Sequence, residues 1–159
     1  MKKKVWIFNH YATDTMLDHG GRHYWFAKYL TRAGYDVRIF CASTVHDTDI
    51  NFDVGKSGYC EKEVDGVKYT LIETSNYVGN GKSRVKNMYQ YYRRIFRVVK
   101  NYEKPDVIFA SSVHPLTLLA GIKIAKKLGV KCICEVRDLW PESLVEYDII
   151  SRNHILTKL

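Results

Sequence analysis

The sequence lacks the segments that carry a chain into or across a membrane. No apolar run approaches the roughly 20 residues that span a bilayer. The amino-terminal stretch MKKKVWIFNHY has a basic flank, but its apolar run is short and ends at Asn9 and His10, unlike the longer apolar region of a secretory signal. We therefore expect a cytoplasmic protein.

Motifs of several common site classes are also absent. The four cysteines form no C-x-x-C pair, and no Cys/His group has zinc-finger spacing. The chain carries no G-x-G-x-x-G fingerprint, no Walker A loop and no G-x-S-x-G nucleophile elbow. A D-T-D triplet at 47–49 has the pattern of a metal-binding motif, but such triplets arise readily by chance in polar loops. We expect reduced, structurally idle cysteines and no metal site.

What is present is an ordinary globular composition with an excess of positive charge. Of the 159 residues, 46% are hydrophobic and 26% are charged, which supports one domain with a real core. The net charge of +8 favours anionic partners, namely nucleic acid, anionic lipid or phosphorylated ligands. No helix-turn-helix, zinc finger or RNA-binding signature accompanies the charge, so we expect no nucleic-acid partner.

Apolar segments alternate between strand-like and helix-like spacing along the chain. The pattern predicts strands at 4–9, 35–43, 105–110 and 130–136, helices at 21–33, 83–102 and 115–128, and a hairpin over 60–74 that turns at Asp65-Gly66. Residues 10–20 and 43–60 are predicted to be polar loops, and Pro141 begins a further helix. Strands that alternate with helices form βαβ units, so the sequence predicts an α/β fold with a mainly parallel sheet.

Polar residues suited to ligand binding follow the first predicted strand. The carboxyl ends of strands in an open α/β sheet face the ligand crevice. Gly20 and Gly21 let backbone approach a ligand, and the next helix offers free N–H groups to an anion. Arg22 and His23 add side-chain donors at that helix start. A plain loop and helix entry is the structural alternative.

A second polar segment follows the strand at 105–110. Ser111, Ser112 and His114 precede Pro115, which suits the first position of a helix. These residues either cap that helix or face the crevice, where His114 would hydrogen-bond a sugar or a phosphate.

The third polar segment is EVRDLWPES at 135–143. Strand alternation places Glu135 and Arg137 on one face. Arg137 offers a planar fork to phosphate or carboxylate, Asp138 offers a proton acceptor, and Trp140 offers an apolar surface. In the structural alternative Glu135 pairs with Arg137, Asp138 caps the helix at Pro141, and Trp140 packs in the core. Three polar segments on one side of one sheet favour a binding site.

The helix predicted at 83–102 is strongly basic. Its apolar face is predicted to comprise Val85, Met88, Tyr89, Tyr92, Phe96 and Val99, and its basic flank Lys86, Arg93, Arg97, Lys100 and Lys104. Such a helix packs against a core with a solvated basic side, or it also meets an anionic membrane surface. The two interpretations are compatible.

Four segments that run through nearly the whole chain resemble a known family. They are FNHYA, GGRHYWFAKYLTRAGYDVRIFCAS, EVDGVKYTLIET and SSVHPLTLLAGIKIAKKLGVKCICEVRDLWPESL. Together they resemble the amino-terminal domain of GT-B glycosyltransferases of glycosyltransferase family 4, of the bacterial type that builds surface polysaccharides. The resemblance implies a Rossmann-like, mainly parallel sheet with helices on both faces.

The resemblance also implies a division of labour. In that family the amino-terminal domain mainly holds the acceptor, and a second Rossmann-like domain holds the nucleotide-sugar and carries an E-x7-E motif. Transfer retains anomeric configuration and needs neither a D-x-D metal site nor another cofactor. By resemblance, Gly20, Gly21 and Arg22 would lie against the donor diphosphate, and Asp138 would be catalytic. The acceptor-binding residues implied are His10, His23, Ser112, His114, Arg137 and Trp140.

We therefore expect residues 1–159 to be a single, truncated acceptor-side domain, without the nucleotide-sugar-binding domain and inactive alone. By resemblance, the full-length protein would transfer a hexosyl group from a nucleotide-sugar to a lipid-linked saccharide. The basic helix at 83–102 would place it on the inner membrane face. One alternative is a non-catalytic module that binds a phosphorylated or lipid-linked saccharide. Another, less favoured, is an adaptor that uses the basic helix on nucleic acid.

Overall fold

A computed structural model of the chain describes residues 2–137. These residues form one twisted sheet with helices on both faces. In chain order the elements are β1 (Lys4–Phe8), α1 (Ala12–Leu17), α2 (Arg22–Arg32), β2 (Asp36–Ala42), β3 (Tyr59–Val64), β4 (Val67–Ile72), α3 (Lys82–Val98), β5 (Val107–Ser111), α4 (Pro115–Leu128) and β6 (Lys131–Glu135). Short 3-10 turns lie at Gly55–Ser57 and Val99–Asn101.

The strand order across the sheet is β3-β4-β2-β1-β5-β6. Every neighbouring pair is parallel except β3 with β4, which form the predicted hairpin. The parallel strands run outward from β1 in both directions, first to β2 and β4, then to β5 and β6. The order therefore reverses between β1 and β5, which is the position where open α/β sheets bind their ligands. The α/β, Rossmann-like prediction is confirmed.

Two hydrophobic cores cover the two faces of the sheet. On one face α1 and α2 bury Met16, Tyr24 and Ala27 against alternate residues of the central strands. On the other face α3 and α4 bury Tyr91 and Ile95 among a second set. Because side chains alternate along a strand, each central strand contributes to both cores, and its sequence is mainly apolar.

The predicted turns owe their shape to particular residues. Asp65 and Gly66 both have positive φ, 51° and 77°, as a two-residue hairpin turn requires. Pro115 occupies the start of α4, and Gly129 ends that helix with φ 63°. The amide of Val130 donates to the carbonyl of Ala125 at 3.0 Å, which closes the helix end.

The structure differs from the sequence prediction between residues 10 and 20. The predicted loop contains α1, whose six residues are too few to show helical spacing. Ala12, Thr13 and Met16 are buried, and the Thr13 hydroxyl donates to the Ala42 carbonyl at 2.5 Å. Tertiary contacts of this kind stabilise a helix that its own sequence does not specify.

The buried face of α3 is also rotated relative to the prediction. Val85 and Tyr89, expected on the apolar face, are 62% and 54% exposed, whereas Asn87 and Tyr91 are fully buried. The Asn87 amide donates to Thr44 Oγ1 and to the Ser75 carbonyl, and the Tyr91 hydroxyl donates to a strand carbonyl. Burial costs the two donors little, because Asn87 Nδ2 and the Tyr91 hydroxyl each find an acceptor. Within residues 2–137 no helix combines the length and apolarity needed to cross a bilayer.

Close packing of α4 on β5 depends on Gly121. A Cβ atom at this position would lie 2.5 Å from Ala110 Cβ and 3.3 Å from Cys132 Sγ. We predict that Gly121→Ser lowers the free energy of unfolding by roughly 1–3 kcal/mol, because the core must move to admit the side chain. Denaturant unfolding measures the change. Gly81→Ser is the matched control, since nothing lies within 4 Å of that site and serine suits the N-cap of α3. Equal losses in both variants would contradict this packing.

Candidate functional site

The three polar segments predicted from the sequence meet at one edge of the sheet. They follow β1, β5 and β6, which are adjacent in the strand order. Asn9 and His10 follow β1, Ser111 ends β5, and Glu135 ends β6. Because β1 and β5 flank the reversal of strand order, these side chains lie at the expected ligand edge.

Glu135 is the centre of this edge. Its Oε2 accepts hydrogen bonds from Ser111 Oγ at 2.6 Å and from His23 Nε2 at 3.0 Å, and its Oε1 pairs with the Arg22 guanidinium. One carboxylate thus joins β6, β5 and the first turn of α2. Among the described residues Glu135 pairs with Arg22 and His23 and not with Arg137, so that part of the structural alternative is wrong.

The bonds around His23 define its tautomer. Asn9 Oδ1 accepts from the Tyr11 amide at 3.3 Å, which turns Asn9 Nδ2 toward His23 Nδ1 at 2.9 Å. His23 Nδ1 is therefore an acceptor, and its proton resides on Nε2, which donates to Glu135. Burial lowers the pKa of His23, and the nearby Glu135 carboxylate opposes that shift. The neutral imidazole connects the end of β1 to the end of β6.

The pKa of Glu135 reflects two opposing effects. Burial raises the pKa of a carboxyl because it disfavours the charged form. Hydrogen bonds from Ser111, Arg22 and His23 favour the carboxylate and together outweigh burial, so the pKa lies below its usual value. Glu135 is consequently ionised at neutral pH.

The start of α2 is shaped by a glycine and has no side-chain cap. Gly21 is the N-cap, with φ 81°, and a Cβ atom there would lie 2.6 Å from Thr15 Cγ2. A residue other than glycine would be strained at this position. No side chain caps the helix and no acidic residue lies in its first turn. Arg22 is 55% exposed in its side chain, so its guanidinium borders solvent as well as Glu135.

His10 and His114 form a buried pair beneath the edge. His10 Nδ1 lies 2.6 Å from His114 Nε2, and the two residues are 0% and 1% exposed. The His10 ring stacks on Tyr91, with 4.5 Å between ring centroids. Burial lowers the pKa of His114 to about 4, with the charge of Arg84 adding to the effect, and burial together with His114 lowers the pKa of His10 well below its usual value. Both rings are neutral, and direct contact with an acceptor stays a prediction.

The remaining predicted residues lie at the rim or beyond the described part of the chain. The Ser112 hydroxyl is buried and accepts from the Arg137 amide at 2.9 Å. Arg137 itself is exposed. Asp138 and Trp140 lie outside the described residues, and so does the helix predicted from Pro141.

Residues 2–137 contain no group of three or more His, Cys, Asp and Glu side chains placed to hold a metal ion. In the D-T-D triplet, Asp47 accepts a hydrogen bond from the Gly79 amide, which gives it a structural role in the loop.

The fold agrees with a comparison against protein families. The family model described as a glycosyl transferase 4-like domain matches residues 21–152. The chain belongs to this family. No curated protein matches the chain. The protein is therefore a member of a glycosyltransferase family. The general reaction of that family uses a nucleotide-sugar donor and a saccharide acceptor.

Sequence reasoning missed a cluster beside the site in this glycosyl transferase 4-like domain. The Tyr11 ring stacks on His46 with 4.5 Å between centroids, and Arg84 Nε donates to the Tyr11 hydroxyl at 3.2 Å. Tyr77 hydrogen-bonds His46 Nδ1 at 2.5 Å. Three loops and the first turn of α3 supply these residues, so no local spacing in the sequence predicts the contact. The position of Tyr11 directly after the polar pair that ends β1 was the one available signal.

The partly buried Glu135 carboxylate predicts a pH-dependent contribution to stability. Because the pKa of Glu135 is lowered by folding, its contribution is complete above the unfolded value of about 4.3 and is lost as pH falls through the folded value. We predict that Glu135→Gln lowers the free energy of unfolding by about 1–3 kcal/mol at pH 7, and that the difference from the wild type shrinks below about pH 4.

Glu61→Gln is the matched control for Glu135→Gln. Glu61 also pairs with an arginine, Arg38, but its side chain is 54% exposed. Its replacement is expected to cost less than about 1 kcal/mol. Unfolding curves of both variants from pH 7 to pH 3 provide the comparison, and a pH-independent loss in Glu135→Gln would refute the ionic contribution.

The histidine pair predicts a second, separate pH window. An imidazole with a lowered folded pKa stays neutral while the unfolded chain takes up a proton. Stability from His114 is therefore complete above about pH 6.5 and falls as pH decreases toward about 4. The expected loss is a few kcal/mol at most, since one pKa unit corresponds to about 1.4 kcal/mol. Titration of the imidazole signals by NMR should give His114 a pKa near the lower limit, and His114→Asn should flatten the stability profile in this window. Titration near 6.5 would contradict the buried pair.

Proposed function

We propose that this domain is the acceptor-side half of a retaining glycosyltransferase. The reaction moves a hexosyl group from a nucleotide-sugar to a lipid-linked saccharide in cell-surface polysaccharide synthesis. The observation that carries the proposal is the Glu135 cluster, which fixes the start of α2 against the ends of β1, β5 and β6 at the ligand edge. Family membership supplies the reaction class.

The donor diphosphate is proposed to lie at Gly20, Gly21 and Arg22. The uncapped start of α2 offers backbone N–H groups to an anion, and the half-exposed Arg22 guanidinium adds a charged donor. Glu135 holds Arg22 in place before any ligand arrives. A fixed donor loses less conformational entropy on binding than a free side chain.

The acceptor is proposed to bind along the same edge, beside the donor. Arg137 lies exposed at the rim, and His23 and Ser112 lie just beneath it. His10 and His114 shape the floor of this region from below, and Trp140 is proposed to contact the acceptor. Asp138, the next residue after Arg137, is proposed to act on the acceptor hydroxyl, because a carboxylate can take the proton that leaves as the glycosidic bond forms.

The full-length protein is proposed to include a second Rossmann-like domain that binds most of the nucleotide-sugar. We propose no metal and no cofactor, with the nucleotide-sugar as co-substrate. The proposed location is the cytoplasm, on the inner face of the membrane, where the helix predicted at 83–102, α3 here, meets anionic lipid.

A non-catalytic module that binds phosphorylated or lipid-linked saccharide is the second candidate. One observation favours it. Glu135, the carboxylate at the centre of the cluster, already accepts bonds from three donors and is a poor base for a substrate proton. Catalysis at this edge would therefore depend on Asp138. A variant of Asp138 distinguishes the transferase from the binding module.

We predict that Asp138→Asn in the full-length protein lowers kcat by at least about a hundredfold, within the range that general acid–base catalysis contributes. KM for the nucleotide-sugar should change little, because Asp138 acts on the acceptor side. The assay measures sugar transfer from labelled nucleotide-sugars to membrane extract.

Asp49→Asn is the control for this assay. Asp49 is exposed in the D-T-D triplet, and its replacement should leave kcat unchanged. Unchanged transfer in Asp138→Asn would remove that residue from the mechanism. Absence of transfer in the wild type, with saccharide binding retained, would favour the binding module.

A further inference from the structure

A groove separates α3 from α4 on the face of the domain that they cover. It has a volume of about 450 Å³. Its lining comprises Tyr92, Arg93, Phe96, Arg97, Val99, Lys100, Lys123, Ile124, Lys127 and Leu128. The groove is distinct from the Glu135 cluster, with which it shares no residue.

The rim of the groove is positively charged without compensation. Five of the ten lining residues are basic and none is acidic. Within residues 2–137 these five form no ion pair with a carboxylate, and Lys123 donates instead to the Tyr92 hydroxyl at 3.0 Å. A larger cavity at the amino ends of the strands differs in this respect, because the carboxylates of Asp36 and Asp106 lie among its lysines.

The floor of the groove is apolar. Phe96 packs edge-on against Tyr92 with 5.2 Å between ring centroids, and Ile124, Val99 and Leu128 complete the surface. A ligand that suits this groove has a negative charge for the rim and hydrocarbon for the floor.

The outer surface of α3 continues the same combination. Lys82, Lys86 and Arg93 alternate with the exposed Val85 and Tyr89 at helical spacing. Exposed apolar side chains between cations are typical of helices that lie in a membrane interface. A nucleic acid would also attract the basic side chains, but it would offer no apolar surface to Val85.

We infer that the α3–α4 groove binds the headgroup of an anionic phospholipid at a membrane surface. The lipid phosphate lies among the five basic side chains of the rim, namely Arg93, Arg97, Lys100, Lys123 and Lys127. An acyl chain contacts Phe96 and the apolar floor of the groove. Val85 and Tyr89 insert into the interfacial region of the membrane. This inference rests on the proposed function, because lipid binding by the groove would bring the Glu135 end of the sheet close to a lipid-linked acceptor. Lipid binding is nevertheless measurable without sugar transfer.

The test is sedimentation of the protein with vesicles. We expect binding to phosphatidylcholine vesicles that contain phosphatidylglycerol and little binding to phosphatidylcholine alone. Arg97→Gln with Lys127→Gln, one cation from each wall, should weaken the partition about thirtyfold, because each basic residue at an anionic surface contributes roughly 1 kcal/mol. Val85→Ser changes no charge, so any weakening of the partition in this variant reflects the loss of an apolar contact with the membrane. We expect such a weakening.

The matched control neutralises Lys56 and Lys62, both exposed at the distant β3 edge. Lys56→Gln with Lys62→Gln makes the same change in net charge and should weaken the partition less than about threefold. Equal losses in the two double variants would overturn the inference, as would equal binding to both vesicle types or groove-dependent binding to nucleic acid in place of vesicles. Transfer to a lipid-free acceptor, assayed in parallel, tests the proposed function independently of the groove.

Discussion

The ligand edge depends on one carboxylate that has exchanged most of its water for protein donors. Glu135 lies at the end of β6, and only 17% of its side chain is exposed. A carboxylate in that position is costly unless its oxygens are hydrogen-bonded, so Ser111, Arg22 and His23 must all stay in reach. Satisfying this requirement fixes β5, β6 and the first turn of α2 relative to one another.

The requirement passes further through His23. Because Nε2 must donate to Glu135, Nδ1 must accept, and Asn9 supplies the donor from the end of β1. The chain of contacts therefore crosses the reversal point of the sheet, from β6 to β1. A polar network that is fully hydrogen-bonded holds its members in one geometry, which suits the proposed ligand-binding surface. The apolar cores below supply stability but would tolerate several arrangements of this edge.

Local spacing was enough to predict most of the fold, whereas the partners at the site came only from the folded chain. The hairpin at Asp65-Gly66 and the limits of α4 at Pro115 and Gly129 follow from turn chemistry that neighbouring residues determine. The sequence placed Glu135 in a polar segment at the end of a strand, but it assigned binding roles only to Arg137, Asp138 and Trp140 in that segment. It could not indicate Arg22 as its partner, 113 positions away, nor the burial of Asn87, which depends on acceptors from two other segments. The polarity of Asn87 alone predicts that its side chain is exposed. Its hydrogen bonds to Thr44 and Ser75 allow it to be buried instead.

The antiparallel strand β3 has a consequence for how copies of the domain meet. It forms one outer edge of the sheet and exposes Glu61, Lys62 and Glu63 in succession. An outer strand presents unpaired backbone groups that a second chain could extend, but pairing here would bring charged side chains into contact across the new ladder. The charges of β3 therefore disfavour the addition of a strand from a second molecule at this outer edge.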